Sequence, residues 1–153
     1  MKRYVTALLA AIFVLLLGTA PLSHAKGTPE EAKGMVEKAV AYYKAQGKEK
    51  AFAEISDPKG RFMKDDIYVT VYDMSGLCLA RPVEKGMIGK SMIGMQDAEG
   101  KLFVKERIEA AKAKGKGWQD YKFPHPITGK WAYKTAYFEA HDNLVFAAGA
   151  YKQ

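Results

Sequence analysis

The stretch of sequence that decides the fold is residues 130–152, KWAYKTAYFEAHDNLVFAAGAYK. Its pattern predicts a strand over 130–140, a hairpin turn at 141–143 and a second strand over 144–152. Strands joined by so short a connection pair antiparallel. We therefore expect an antiparallel sheet at the carboxy-terminal end of the chain.

Three more strands are predicted upstream of this hairpin. Residues 67–74 are rich in β-branched and aromatic residues, and a turn at 73–76 leads into a strand over 77–81. A further strand is predicted over 117–123. With the carboxy-terminal pair, these segments make a five-stranded antiparallel sheet.

A long amphipathic helix is predicted ahead of the strands. Thr28 can cap it, Pro29 suits the first helical position, and Glu31 completes a capping box. Apolar residues then recur at helical spacing up to Gly47, where we expect the helix to end. A shorter helix is predicted over 49–55.

The segment between the second and third strands is predicted to cover one face of the sheet. Residues 85–100 form a loop rich in glycine and methionine, and 101–114 have the pattern of a helix that Gly115 stops. With the long helix on the other face, the fold class is α+β. A pocket between the sheet and this loop is the expected place for a ligand.

The first residues have the layout of a secretory signal peptide. A positively charged start precedes an apolar run at 5–17, and Ser23-His24-Ala25 supplies a small-x-small cleavage pattern. The run is shorter than the roughly 20 residues of a spanning helix, which argues against the alternative of an uncleaved anchor. Removal of 1–25 would leave a single periplasmic domain, 26–153, with its net charge lowered from +7 to +5.

Composition and motifs argue against several function classes. The basic residues are mostly lysines scattered among acidic ones, unlike the clustered basic face of a nucleic-acid-binding protein. Cys78 is the single cysteine, so an internal disulfide, a CxxC site and a haem-attachment site are excluded. No HExxH, GxSxG, P-loop or GxGxxG motif occurs. We expect no catalytic residue and no cofactor.

Two clusters of possible metal ligands have simpler interpretations. Met87, Met92 and Met95 have no accompanying His or paired Cys, so we expect them to pack the loop instead of binding copper. Asp65 and Asp66 form an isolated acidic pair, which we expect in a solvated turn. No metal site is predicted.

Lys134 is the leading candidate for a binding residue. It lies mid-strand, where alternation places it on the same face as Ala132, Ala136 and Phe138. If that face is buried, the ammonium needs a partner, because an unpaired buried charge is very costly. A bound carboxylate would serve, and so would a neighbouring Asp or Glu or a side chain that reaches solvent. The sequence leaves these alternatives open.

Further candidates belong to the same predicted pocket. Arg81 ends the second strand before Pro82 and could clamp a carboxylate through two parallel hydrogen bonds, although it could equally be a surface arginine at a strand end. Tyr72, Trp118 and Tyr121 could form apolar walls or donate a hydroxyl hydrogen bond. Together with Lys134, these residues predict a site for a small organic anion.

Short motifs along the mature chain resemble those of one known family. The segment 68–76 resembles its first hairpin, and Arg81-Pro82 stands where many members carry His-Pro. The glycine loop 86–91 resembles one that often ends in Gly-Lys-Asn, with Ser91 replacing Asn. Downstream resemblances are Gly-Trp-x-x-Tyr at Gly117, Trp118 and Tyr121, Lys-x-x-Tyr at Lys134 and Tyr137, and Gly-x-Tyr at Gly149 and Tyr151. The family is the single Cache domain of the sCache_2 type.

This resemblance implies both a fold and a function. The fold is a PAS-like five-stranded antiparallel sheet, and the function is extracytoplasmic sensing without catalysis. The ligands are small carboxylates such as acetate, propionate, pyruvate or lactate. Because the chain ends at Gln153, directly after the last predicted strand, it resembles a free-standing member that would signal through a membrane-bound receptor or kinase.

Two other functions stay open at this stage. The domain could dock on a membrane receptor with a vestigial pocket, which predicts an exposed apolar patch. It could also be an enzyme with an unrecognised site, which requires two titratable groups poised together in a cleft.

Export gives the first testable prediction. Cleavage after Ala25 should leave Lys26 as the amino terminus of the exported protein. Amino-terminal sequencing of periplasmic material measures this. Recovery of the intact chain from the membrane fraction would favour the anchor instead.

Overall fold

The computed structural model describes residues 26–152, so the predicted signal peptide lies outside the described residues. In chain order the elements are α1 (Pro29–Gln46), α2 (Lys48–Ile55), β1 (Met63–Lys64), β2 (Ile67–Tyr68), β3 (Thr70–Asp73), β4 (Cys78–Ala80), a short 3-10 helix (Lys85–Met87), α3 (Phe103–Lys114), β5 (Lys116–Pro124), β6 (Trp131–His141) and β7 (Leu144–Tyr151). No helix among them is long and apolar enough to cross a membrane.

Five strands form one antiparallel sheet in the order β4–β3–β7–β6–β5. The hairpin of β6 and β7 turns at Asp142 and Asn143, which both adopt left-handed φ angles of 49° and 58°. A two-residue hairpin turn of this kind matches the twist of its strands. The predicted five-stranded antiparallel sheet is confirmed.

Helix α1 covers one face of the sheet. Its start is fixed by the predicted capping box, in which the Glu31 amide donates to the Thr28 hydroxyl at 3.1 Å and the Thr28 amide donates to the Glu31 carboxylate at 2.9 Å. Ala32, Val36 and Ala39 are fully buried in an apolar cluster with strand side chains. This cluster holds α1 on the sheet.

Helix α3 and the loop before it cover the opposite face. Phe103, Val104, Ile108 and Ala111 are buried, as their helical spacing predicts, and Met92 from the loop joins the same cluster. The expected arrangement is therefore present, with the long helix α1 on one face of the sheet and the loop and α3 on the other.

The chain between α2 and the sheet differs from the prediction. The strand expected over 67–74 is interrupted, because β2 pairs with β1 in a separate small hairpin and only β3 joins the main sheet. Asp66 does not sit in a solvated turn: it is 1% exposed, and its Oδ1 accepts a hydrogen bond from the Gly27 amide at 2.8 Å. This contact joins residues 39 positions apart, which a local turn pattern cannot reveal.

Gly149 in β7 generates a prediction about stability. A Cβ at this position would lie 2.8 Å from Lys134 Cε and 2.8 Å from the Thr135 carbonyl oxygen. Gly149→Ala should therefore lower the free energy of unfolding by about 1–3 kcal/mol through overpacking. The matched control is Gly34→Ala in α1, where nothing lies within 4 Å of the new methyl group.

In this control, the same substitution should raise the free energy of unfolding by about 0.5–1 kcal/mol, because alanine favours a helix interior over glycine. Denaturant unfolding of both variants measures the difference. Stabilisation by Gly149→Ala would contradict the close packing around Lys134.

Candidate functional site

A small cavity lies between the sheet and α3. Its volume is about 20 Å³, in which roughly one water molecule fits. The lining residues come from six elements and the segment after β4, and they are Tyr68, Thr70, Tyr72, Arg81, Phe103, Arg107, Tyr121, Phe123, Lys134, Ala136, Ala147, Ala148 and Gly149. The cavity therefore lies on the predicted face of the sheet, but α3 and not the loop 85–100 closes it.

Lys134 enters this cavity from the middle of β6. Its cross-strand neighbours are Tyr121 on β5 and Tyr151 on β7, and the whole residue is 2% exposed. Its Nζ lies 4.1 Å from the centroid of the Tyr68 ring and 4.7 Å from that of Tyr151. Within residues 26–152, no carboxylate forms an ion pair with it. In this part of the chain, Lys134 therefore neither pairs with a neighbouring Asp or Glu nor reaches solvent.

The electrostatic environment disfavours a proton on Lys134. Burial lowers its pKa to about 7, and the nearby charges of Arg107 and Arg81 act in the same direction. Asp66 and Glu84 oppose this effect but do not outweigh it. The ammonium is therefore poised between its charged and neutral forms near neutral pH.

Arg81 is the second predicted cation, and it also lines the cavity. It is 2% exposed, although it follows the short strand β4 at the end of its hairpin. One Nη donates to Glu84 at 2.7 Å, and the Glu84 side chain is 49% exposed. The buried Nε of Arg81 has no hydrogen-bond partner in the described chain. The surface interpretation of this arginine is wrong, and its guanidinium retains hydrogen-bonding capacity.

Arg107 on α3 is a third cavity cation, and the sequence analysis missed it. It is 2% exposed and stacks over the Tyr121 ring, with 5.0 Å from its guanidinium carbon to the ring centroid. Its Nε donates to Gln119 at 3.1 Å, while its buried Nη2 has no hydrogen-bond partner among the described residues. The signal was available, because Arg107 is four residues after the inward-facing Phe103 and so shares its helix face.

Two of the three predicted aromatic residues line the cavity. Tyr72 and Tyr121 are 4% and 7% exposed, and burial raises the pKa of Tyr72 to about 12, so its hydroxyl stays protonated at neutral pH. Trp118 does not line the cavity, which corrects the prediction. It is 47% exposed on the other face of β5, where its ring meets Tyr137 edge to face. Tyr68, Phe103 and Phe123 complete the aromatic walls.

A buried Asp–His contact lies outside the cavity lining. The Asp66 Oδ2 has no hydrogen-bond partner in the described chain and lies 3.4 Å from His125 Nε2. The Ile127 amide donates to His125 Nδ1 at 3.2 Å, so a neutral His125 carries its proton on Nε2, facing Asp66. The pair ties the segment after β5 to the small β1–β2 hairpin.

The other candidate chemistries find no support in the described residues. No group of three or more His, Cys, Asp or Glu side chains within 26–152 is arranged to hold a metal ion. Met87, Met92 and Met95 pack against the α3-side core. Cys78 is fully buried, and this burial raises the pKa of its thiol, which therefore stays protonated and unreactive at neutral pH.

Comparison with known proteins places this chain in a family. The profile of the family described as Single Cache domain 2 matches residues 20–147. The chain belongs to this family. Cache domains are sensory, ligand-binding modules. No curated protein matches the chain.

Solved structures share the Cache fold at low sequence identity. A methyl-accepting chemotaxis protein from Vibrio parahaemolyticus RIMD 2210633 is 20% identical, with a TM-score of 0.69 over 80% of this chain and 86% of that one. A periplasmic sensor domain of a chemotaxis protein is 23% identical, with a TM-score of 0.64 over 81% and 90%. A Cache chemosensory domain described for carboxylic acid recognition is 20% identical, with a TM-score of 0.63 over 81% and 88%.

The pKa of Lys134 predicts how stability varies with pH. The folded-state value, about 7, lies below the ordinary value of 10.5, so between these pH values the unfolded chain binds more protons. The contribution of Lys134 to the free energy of unfolding should therefore rise as pH increases from about 7 towards 10.5, and it should level off at its lowest value below pH 7, where both states are protonated. Between pH 7 and 9 this rise should be on the order of 2 kcal/mol relative to Lys134→Met.

Denaturant unfolding of wild type and Lys134→Met at pH 6, 7, 8 and 9 measures this difference. Lys116→Met is the matched control, because Lys116 is exposed on β5. Parallel pH profiles for wild type and Lys134→Met would contradict the lowered pKa.

Proposed function

We propose that this domain is a periplasmic, non-catalytic sensor that binds a small organic carboxylate in the cavity between the sheet and α3. One observation carries the proposal. Three cationic side chains, Lys134, Arg81 and Arg107, are each 2% exposed and line one cavity. Of these three cations, only Arg81 has a carboxylate partner within the described chain. An anion is the ligand that this charge distribution favours.

The three buried cations carry an energetic cost. A buried cation without a counter-ion is strongly disfavoured, and an anion with hydrogen-bond acceptors relieves that cost. The two acceptor oxygens of a carboxylate match the parallel donors of a guanidinium, and they also accept charged hydrogen bonds from an ammonium. We assign the carboxylate to Lys134 and Arg81, with the Tyr72 and Tyr121 hydroxyls as neutral donors beside it.

The walls of the cavity limit the ligand to a small molecule. Aromatic rings and the methyl groups of Ala136, Ala147 and Ala148 surround the cations, and the free volume is about 20 Å³. Even a two-carbon acid needs side chains to move on entry. We assign this movement to Glu84, whose half-exposed carboxylate pairs with the cavity residue Arg81. The similarity to a Cache domain described for carboxylic acid recognition agrees with this ligand class.

Binding would be useful only if it is reported to a partner. We propose that this partner is a membrane-bound receptor or kinase in the compartment to which the predicted signal peptide delivers the domain. The fold relatives include a methyl-accepting chemotaxis protein, which is a receptor of this kind.

One observation favours the second candidate, a docking module with a vestigial pocket. Trp131 and Tyr133 are 55% and 47% exposed on one face of β6, and Trp118 is exposed on the same side of β5. The hydrogen-bonded pair of Asp120 and Thr135 lies between Trp118 and the other two rings. The apolar surface is therefore divided, and the cationic cavity supports the sensor more strongly.

Lys134→Met tests the sensor directly. The variant retains most of the aliphatic stem but loses the charge, and a charge-assisted hydrogen bond is worth roughly 1.5–3 kcal/mol. Binding of the best organic acid, measured by calorimetry at pH 6, should weaken about ten- to a hundredfold. In wild type, affinity should also fall as pH rises from 6 to 8, because Lys134 loses its proton near pH 7.

Lys116→Met again serves as the matched control and should bind like wild type at both pH values. The affinity of Lys134→Met should not change between pH 6 and 8. If Lys134→Met is folded and binds the acid as tightly as wild type, the proposed role of Lys134 is wrong. If the variant is unfolded without ligand, Lys134 has a structural role instead.

A further inference from the structure

We propose that the ligand is a short dicarboxylate, and that Arg107 receives its second carboxylate. This inference rests on the proposed function and makes it more specific. The first carboxylate belongs to Lys134 and Arg81. When one carboxylate pairs with Lys134 and Arg81, the positive charge of Arg107 still has no counter-charge. We assign the second carboxylate to Arg107.

Arg107 has the properties of an anion subsite. It is 2% exposed, it lines the cavity, and in residues 26–152 no carboxylate pairs with it. Its buried Nη2 has no hydrogen-bond acceptor in the same part of the chain. A buried guanidinium nitrogen without an acceptor costs free energy that a ligand oxygen would recover.

The neighbours of Arg107 hold its guanidinium ready. Gln119 accepts from its Nε at 3.1 Å, and Gln119 itself is fixed because its Nε2 donates to the Phe103 carbonyl at 3.0 Å. The Tyr121 and Phe103 rings, stacked 4.5 Å apart, support the guanidinium from one side. The side chain is thus oriented through Nε, which leaves the terminal nitrogens for a ligand, and preorganisation of this kind increases affinity.

The charge count of the cavity selects a dianion. Glu84 balances the charge of Arg81, which leaves Arg107 and protonated Lys134 as two positive charges within the lining. A monocarboxylate would leave one of them unbalanced in a site that excludes water, whereas a dicarboxylate balances both. The proximity of the two cations also explains why Arg107 contributes to the lowered pKa of Lys134.

The ligand must be short as well as doubly charged. Tyr121 is the cross-strand neighbour of Lys134 and also carries Arg107 on its ring, so the two cations share one neighbour. The cavity between them is small. Two- and three-carbon dicarboxylates are therefore the appropriate probes, each compared with the monocarboxylate of the same carbon number.

The experiment measures dissociation constants by calorimetry at pH 7 for the matched pairs oxalate and acetate, and malonate and propionate. Wild type, Arg107→Met, Arg107→Lys and Arg61→Met are compared. Arg61 is the control arginine, because its side chain is 62% exposed and does not line the cavity. The readout is the ratio of the two constants within each pair, which a general loss of stability does not change.

In wild type and Arg61→Met, at least one dicarboxylate should bind about tenfold or more tightly than its partner. Arg107→Met should abolish that preference, while its dissociation constant for the monocarboxylate should stay within about twofold of the wild-type value. Arg107→Lys should retain part of the preference, because it keeps the charge but loses the paired donors of the guanidinium. If Arg107→Met does not fold, the wild-type ratios and Arg107→Lys still decide.

Equal or weaker binding of both dicarboxylates by wild type would overturn the inference while leaving the proposed function intact. So would an Arg107→Met variant that weakens both members of a pair equally. Failure of wild type to bind any of the four acids would overturn the proposed function, and this inference with it.

Discussion

The burial of Lys134 in the middle of β6 is the constraint on which the rest of the site depends. A lysine between two strands needs room for its stem and a way to manage its charge. The room comes from Gly149 on β7, where a Cβ would lie 2.8 Å from Lys134 Cε. The aromatic rings of Tyr68 and Tyr151 then surround the ammonium. Gly149 thus makes space for the Lys134 stem, and the two rings contact its ammonium.

The two faces of the sheet differ in how their side chains pack. On the α1 face, alanine and valine side chains of the helix pack against strand residues in a fully buried apolar cluster. On the α3 face, the packing is interrupted by three cations and a cavity. Because β6 and β7 contribute to both faces, the apolar cluster can hold the strands rigid while the α3 face tolerates uncompensated charge.

The sequence carried most of the fold and part of the site. Strand alternation grouped Lys134 with Ala136 and Phe138, and the structure shows that this face is buried. The position of Arg81 at a strand end left a pocket residue and a surface arginine both open, and only the structure shows that it lines the cavity. The assignment of Trp118 failed for a reason visible in the sequence: it lies three residues from Tyr121, and an odd separation puts two side chains on opposite faces of a strand. Arg107 could have been found from its helical spacing to Phe103.

Other features depend on contacts that no local pattern encodes. Asp66 is buried because the Gly27 amide and His125 approach it from distant parts of the chain. The interruption between β2 and β3 likewise follows from pairing of β2 with β1 instead of with the main sheet. Composition and periodicity describe which face of an element is apolar, but not which remote polar group will meet a given carboxylate.

The three cavity cations are tolerated by three different means, and each leaves capacity for an anion. Arg81 pairs with the half-exposed Glu84, an interaction with which solvent competes. Lys134 is close to losing its proton at neutral pH, which removes the charge instead of balancing it. Arg107 lies over the Tyr121 ring, whose electron-rich face offsets only part of a full charge. A carboxylate within the cavity would balance these charges better than the exposed Glu84, the loss of a proton from Lys134 or the ring of Tyr121 does. Within the described residues the three charges are therefore incompletely balanced, and the proposed binding of an anion depends on this imbalance.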